Sequence, residues 1–168
     1  PEEIVNIDRE ITRIERQAGI PVGQTELWCN IESALGAVHA REIALSSPRV
    51  VALDLGAEDY CASMGAKRSK DGFEIFYARM QVLEACRLAG ISAQDAVFSD
   101  FRDTEGLEED LKTTRGLGFD GKTVIHPSQI DIVNRAFTPS DKEIRNALKI
   151  VAALEQGAKQ HTGVVVVD

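Results

Sequence analysis

No apolar run in this sequence reaches the ~18 residues that a membrane-spanning helix needs, and no basic-then-apolar leader opens it. Positive charge is in deficit. The 19 Lys and Arg against 27 Asp and Glu leave a net charge of −8, which argues against a nucleic-acid groove or an anionic membrane surface as the main partner. Cysteine is scarce: Cys29, Cys61 and Cys86 are odd in number, widely spaced and set in apolar or helical contexts. That excludes a disulfide frame or a zinc site and points to reduced thiols in a cytoplasmic protein. The fingerprint glycines of a dinucleotide fold are also missing. GLGFDG, residues 116–121, follows a helical pattern and precedes an apolar run, the wrong order, so it reads as a helix cap and turn. No repeat and no low-complexity linker divides the 168 residues, which form one domain, 1–168.

What the sequence does have is alternation. Ile4, Ile7, Ile11 and Ile14 fall at helical spacing, with Gly19 closing that helix. ELWCNIE is short and β-compatible, and ALGAVHAREIALSS then predicts a second amphipathic helix bearing His39 on its surface. RVVALDL is a nearly continuous apolar strand. YCASMGAKRSKDG reads as a polar loop and FEIFYARMQVLEACRLAG as a long helix ended by Gly90. DAVFSDF is the next strand, EGLEEDLKTTRGLG a helix capped by Gly116 or Gly118, and TVIHP a last strand halted by Pro127. SQIDIVNRAF and SDKEIRNALKIVAALEQGAKQ follow as helices with Ser128 and Ser140 as N-caps. HTGVVVVD trails off as a strand or extended tail, with His161 on the surface.

Short apolar strands alternating with amphipathic helices mean a parallel sheet covered by helices. A doubly wound sheet and part of a (β/α)8 TIM barrel both fit. A complete barrel takes about 250 residues, so four βα units amount to half of one.

In parallel α/β proteins, sites collect at the carboxyl ends of the strands. NIESALG (30–36) and LDLGAEDY (53–60) both finish an apolar run on acid there. Neighbouring strands lie ~4.8 Å apart, so Glu32 and Asp59 can converge on one hard cation. Two carboxylates without a dense ligand cage suit Mg²⁺ better than Ca²⁺ or Zn²⁺. The alternative is that Glu32 caps the following helix and Asp59 is a loop residue. Glu58 should point away from Asp59 if the chain is extended there. Asp54, mid-strand, reads as structural and needs a partner if buried. Asp100 and Asp103 either line a pocket or are solvated loop acids. His126, in VIHP, either faces the same site or bonds a loop backbone. Lys67, Arg68 and Lys70 are either a solvated run or a contact for a thioester's phosphates.

NIESALG, LDLGAEDY and GFDGKTVIHPSQI, in this order and separation, resemble the citrate lyase β-subunit family, within the wider aldolase and malyl-coenzyme A lyase superfamily. The resemblance covers essentially the whole chain. It implies a TIM barrel of which this chain is mainly the second half, strands five to eight with their helices plus a C-terminal helix. It implies Mg²⁺ held by Glu32 and Asp59, with Glu32 also touching substrate and serving catalysis; His126 and Asp100, by their place at the carboxyl ends, are further candidate substrate contacts. The activity implied is cleavage of a carbon–carbon bond in a 3-hydroxyacyl thioester of citrate, malate or citramalate, carried on CoA or an acyl-carrier protein. A homo-oligomer, a trimer or larger, is implied, with citrate lyase α and acyl-carrier subunits as further partners. Hydrolysis by a malyl-CoA-type thioesterase on the same metal site and a non-catalytic assembly module are the competing readings. The histidine of VIHP leans toward free-standing CoA-thioester lyases. The first barrel strands, expected to bring a substrate Arg, an acidic motif and a further Arg and Lys, and a C-terminal Asp acting on a neighbouring subunit are expected to lie outside these residues.

Overall fold

The computed structural model describes residues 1–159; the VVVVD tail and His161 fall outside them. An amphipathic helix, α1 (Glu2–Ala18), ends on Gly19, whose φ of 69° is left-handed and whose N–H closes on Arg16. Strand β1 (Leu27–Ile31) leads to α2 (Ala34–Val38) and α3 (Ala40–Ala44). Then come β2 (Val50–Leu55), α4 (Ala57–Met64) and α5 (Phe76–Ala89), the last entered through a 3₁₀ turn at Phe73–Ile75. β3 (Ser92–Asp95), α6 (Thr104–Leu117), β4 (Gly121–Lys122), α7 (Ile130–Phe137) and α8 (Asp141–Lys159) complete the order.

The four strands are parallel and stand in the order β1-β2-β3-β4. Each lies beside its sequence neighbour, so the helices wind in one direction. A doubly wound sheet would reverse its order, so that alternative does not describe these strands. Side chains alternate faces along a strand. Cys29, Ile31, Leu53, Leu55 and Ala93 on one face enter the main core with Ala37, Ala40, Ala44, Ala78, Val82 and Cys86 from the helices. The other face presents Trp28, Asn30, Asp54, Ser92 and Gln94, none of which joins that core.

Several boundaries differ from the sequence reading. The single helix expected over ALGAVHAREIALSS breaks at His39, and the break lets Ala37, Ala40 and Ala44 all reach the core. The expected loop at YCASMG is helical. Ala57, Tyr60 and Cys61 are buried at helical spacing, and Gly65 (φ 66°) ends the helix. The strand expected over DAVFSDF (95–101) lies earlier, at Ser92–Asp95, and shares only Asp95 with that segment, while Phe98 packs into a second cluster with Leu107, Leu111 and Val133 instead of pairing. TVIHP does not form a strand: Gln129 Oε1 accepts the N–H groups of Ile125 (3.0 Å) and His126 (3.3 Å), the donors a ladder would use. Gly118 (φ 105°) is the cap of α6. Ser128 is not an N-cap; His126 fills that place for a 3₁₀ turn at Pro127–Gln129. Ser140 does cap α8, its Oγ accepting from Glu143 N–H (3.3 Å) while Glu143 Oε2 accepts from Ser140 N–H (2.8 Å).

Between sheet and helices lies a buried ion cluster. Arg79 donates to both oxygens of Asp95 (2.8 Å each) and to Asp110 (2.8 Å). Thr114 adds a 2.5 Å bond to Asp95, and Lys122 bridges Asp110 (2.6 Å) and Asp95 (3.2 Å). Burial alone would raise the Asp95 pKa; the Lys122 and Arg79 charges outweigh it and hold the carboxyl below the usual range.

Candidate active site

The carboxyl ends of all four strands open on one side, and the acids of interest lie there. β1 ends at Ile31, so Glu32 is the first residue past its strand, and it is exposed. It does not cap α2. Ser33 does, its Oγ accepting from Gly36 N–H (3.0 Å), while Ser63 takes the N–H of Ala34 (2.9 Å). Both caps are supplied by hydroxyls, which leaves the Glu32 carboxylate for other work. Its Oε1 accepts a 2.5 Å bond from Asn30 Nδ2.

Asp59 lies in the first turn of α4, three residues after Gly56, the N-cap. It is exposed and has no side-chain partner among the described residues. The loop alternative for Asp59 therefore gives way to a helical one, where an acid suits the positive end of the dipole. Helical side chains lean toward the N-terminus, which carries the Asp59 carboxylate back toward Gly56. Glu32 reaches the same place from the neighbouring strand: a Cβ on Gly56 would stand 2.4 Å from Glu32 Cγ and 2.9 Å from its Oε1. The φ of Gly56 is an ordinary −80°, so glycine is required there for space. Glu32 therefore packs on the N-cap residue of α4, three residues before Asp59 in the chain. Among the described residues no group of three His, Cys, Asp or Glu forms a metal cage. Two carboxylates facing solvent suit Mg²⁺, which keeps several waters and takes few protein ligands.

Glu58 turns elsewhere, accepting from Ser99 Oγ (2.6 Å) and Arg68 Nε (3.3 Å). It points away for a helical reason, not because the chain is extended there. Arg68 also pairs with Glu74, and Lys70 with Asp103 (2.6 Å). The basic run is therefore largely taken up by local acids, which weakens it as a phosphate contact. Glu58, Arg68, Lys70 and Asp103 line a cleft of about 370 Å³ with Phe98 and Asp100.

Asp100 faces solvent, and its side chain accepts from Arg102 N–H (3.2 Å), an Asx turn. Asp103 is the N-cap of α6, accepting from Gly106 N–H (2.9 Å). His126 bonds a loop backbone, as one of its two readings had it: Nδ1 accepts from Ser128 N–H (3.2 Å). An N–H only donates, so the neutral ring carries its proton on Nε2. The ring stacks on Phe101 at 4.4 Å.

Asp54 shares the face of Asn30 and Gln94, two residues before Gly56. It is buried, and Oδ1 has no partner among the described residues, so the structural partner expected for it is missing at that atom. Burial pushes its pKa up to about 6, against the opposing effect of a Thr123 hydrogen bond. A carboxyl with a raised folded pKa destabilises the fold once ionised, so stability falls as pH climbs from about 4 to 6. Asp54→Asn should be more stable than the wild type near pH 7.5, by roughly 2 kcal/mol, with the gap closing near pH 4. Urea midpoints at the two pH values check it; equal gaps would contradict it. The three thiols are all buried with raised pKa, Cys86 at about 11, which removes them as nucleophiles.

Four parallel strands in sequence order, alternating with helices, define an α/β protein. The family model for HpcH/HpaI aldolase/citrate lyase matches residues 1–127, and the chain belongs to that family. It is 45% identical over 155 residues to the citrate lyase subunit beta of Leuconostoc mesenteroides subsp. cremoris, covering 92% of this chain and 51% of that protein. It is 38% identical over 142 residues to a (3S)-malyl-CoA thioesterase of Cereibacter sphaeroides (strain KD131 / KCTC 12085), covering 84% and 50%. Among solved structures it resembles CitE of Mycobacterium tuberculosis in complex with magnesium, acetoacetate and coenzyme A (TM-score 0.66, 35% identity, 80% of this chain and 52% of that one). The citrate lyase beta subunit of M. tuberculosis complexed with oxaloacetate and magnesium gives a TM-score of 0.62 at 38% identity, covering 68% and 53%. The chain spans about half the length of the curated relatives it matches. Among the described residues no helix is long and apolar enough to cross a membrane.

Proposed function

We propose that this chain is the metal-binding half of a (β/α)8 barrel that cleaves a carbon–carbon bond in a 3-hydroxyacyl thioester. The observation that carries the reading is the packing of Glu32 over Gly56, the N-cap of the helix whose first turn carries Asp59, with the α2 N-terminus capped by Ser33 and Ser63 and not by Glu32. The barrel is supported by the sequential parallel order and by a sheet face that stays out of the core. That face holds Trp28, 59% exposed, and Asp54, whose Oδ1 has no partner among the described residues. A parallel sheet ordinarily has both faces covered; four more strands would close the barrel and bury this one.

Glu32 and Asp59 would hold Mg²⁺, which supplies Lewis-acid polarisation of the substrate's hydroxyl and keto oxygens when bound. The chain's own groups have separate tasks. Asp59 sets the position of one carboxylate through the rigid first turn of α4. Glu32, next to the reacting atoms, contacts substrate as well. His126 offers Nε2–H as a donor at the same end of the sheet, and Asp100 lies on the cleft wall. A thioester enolate leaving the cleaved bond requires fixed positive charge. Arg68 and Lys70 are engaged by Glu58, Glu74 and Asp103, so that charge belongs to the strands that complete the barrel.

The substrate class is a CoA or acyl-carrier thioester of citrate, malate or citramalate, following relatives named citrate lyase subunit beta and a neighbour bound to coenzyme A. Relatives named (3S)-malyl-CoA thioesterase favour hydrolysis as the second reading. Incubating a form that carries all eight strands with citryl-, malyl- and citramalyl-CoA separates the two. The lyase releases a ketoacid from one thioester, and EDTA abolishes it. Free hydroxyacid without ketoacid moves the activity to hydrolysis, and no turnover of any thioester contradicts both.

A further inference from the structure

Glu32 is exposed and past the end of its strand, where nothing in the backbone fixes a four-atom side chain. Its conformation is nevertheless defined. Asn30 lies two residues earlier on the same face of β1, and its Nδ2 donates to Glu32 Oε1 at 2.5 Å. The amide is seated too: a Cβ on Gly56 would stand 3.1 Å from Asn30 Oδ1 as well as 2.4 Å from Glu32 Cγ. Amide and carboxylate are packed side by side over one glycine, and Oε2 is left without a partner among the described residues. Side-chain entropy favours leaving an exposed Glu loose; here the amide and the glycine together select one pose, aimed at the turn that carries Asp59.

We infer that Asn30 is a positioning residue for the cation site, holding Glu32 by Oε1 so that Oε2 faces the ion at the separation Mg²⁺ demands from Asp59. The inference rests on the metal reading given above. Mg²⁺ requires near-ideal octahedral geometry at ~2.0–2.1 Å, whereas Ca²⁺ accepts looser arrangements at ~2.3–2.6 Å. Loosening Glu32 therefore costs Mg²⁺ affinity more than Ca²⁺ affinity. Groups that orient a metal's ligands typically change affinity about 10–100-fold when removed. A solvated Asn–Glu pair of purely local consequence would shift neither affinity.

The test is titration of a form with all eight strands and its variants with Mg²⁺ and with Ca²⁺ by calorimetry, with urea midpoints measured in parallel without metal. Asn30→Leu removes the donor at similar volume, and Asn30→Ala repeats the test with a smaller group. Both are expected to keep the wild-type urea midpoint, lose about 10–100-fold in Mg²⁺ affinity and lose less for Ca²⁺. Gly56→Ala, which displaces both side chains, is expected to lose at least as much. Glu32→Gln tests the underlying site and should abolish Mg²⁺ binding. If Glu32→Gln abolishes binding while both Asn30 variants bind Mg²⁺ as the wild type does, Asn30 has no positioning role and the metal reading stands. If Glu32→Gln binds like the wild type, or the wild type binds no Mg²⁺, the metal reading falls and this inference with it.

Discussion

Glu32→Gln and Asp59→Asn are each expected to remove Mg²⁺-dependent turnover in a form with all eight strands, by at least three orders of magnitude. Each change keeps shape and hydrogen-bonding capacity but deletes one of two negative ligands. With only two protein carboxylates in the proposed site, there is no third acid to compensate. A metal that stabilises charge on a reacting oxygen contributes several kcal/mol, and each 1.36 kcal/mol is about tenfold in rate. Both residues are exposed and make no core contact, so the variants should unfold at the wild-type urea concentration. Turnover within about tenfold of the wild type in either variant would place the metal elsewhere. Loss of turnover together with loss of stability would mean that the acids serve the fold.

The largest effect on stability is expected from Asp95→Ala. Asp95 has no exposed surface, and it accepts from Arg79, Thr114 and Lys122. Alanine leaves two buried cations sharing Asp110 alone. Breaking a buried pair by removing one partner costs about 3–5 kcal/mol, because the remaining charge stays desolvated. The loss should appear in the urea midpoint at neutral pH. It should shrink in acid: Asp95 is held below its ordinary pKa, so its contribution is present above about pH 4 and disappears as pH falls through the folded value. A neutral-pH change below ~1 kcal/mol would mean that water reaches the cluster. Replacing Arg79, Asp95, Asp110 and Lys122 together by apolar residues should cost less than Asp95→Ala, since no charge of the cluster is then left unpaired.

These two sites were unequally legible in the sequence. Glu32 and Asp59 stand out as candidates because an apolar run ending in acid is a local pattern, and parallel α/β proteins put their chemistry at strand ends. What kept them from being a cap and a loop residue was invisible. Ser63, which takes the Ala34 donor, is 29 positions away in sequence. The role of Gly56 is spatial, and its φ would suit any residue. The lysine of GFDGKTVIHPSQI carried part of the family resemblance, yet Lys122 is buried among Asp95 and Asp110 and acts in the fold. Its partners come from other elements, so no spacing announces them. Asp54 is the opposite case: it was assigned to structure, and the structure leaves Oδ1 unsatisfied on the face that stays out of the core. Misplaced boundaries share a cause. Phe98 and Val124 pack on α6 and α7 instead of pairing, and the strand pattern cannot tell those two fates apart.

The most direct measurement is a crystal structure obtained with saturating Mg²⁺ and oxaloacetate, read at the turn formed by Gly56. One cation is expected there, within ~2.0–2.1 Å of a carboxylate oxygen of both Glu32 and Asp59, with waters or ketoacid oxygens filling the octahedron. Density for Mg²⁺ at another place, or both carboxylates without a cation under saturating metal, would contradict the assignment of these two acids as its ligands.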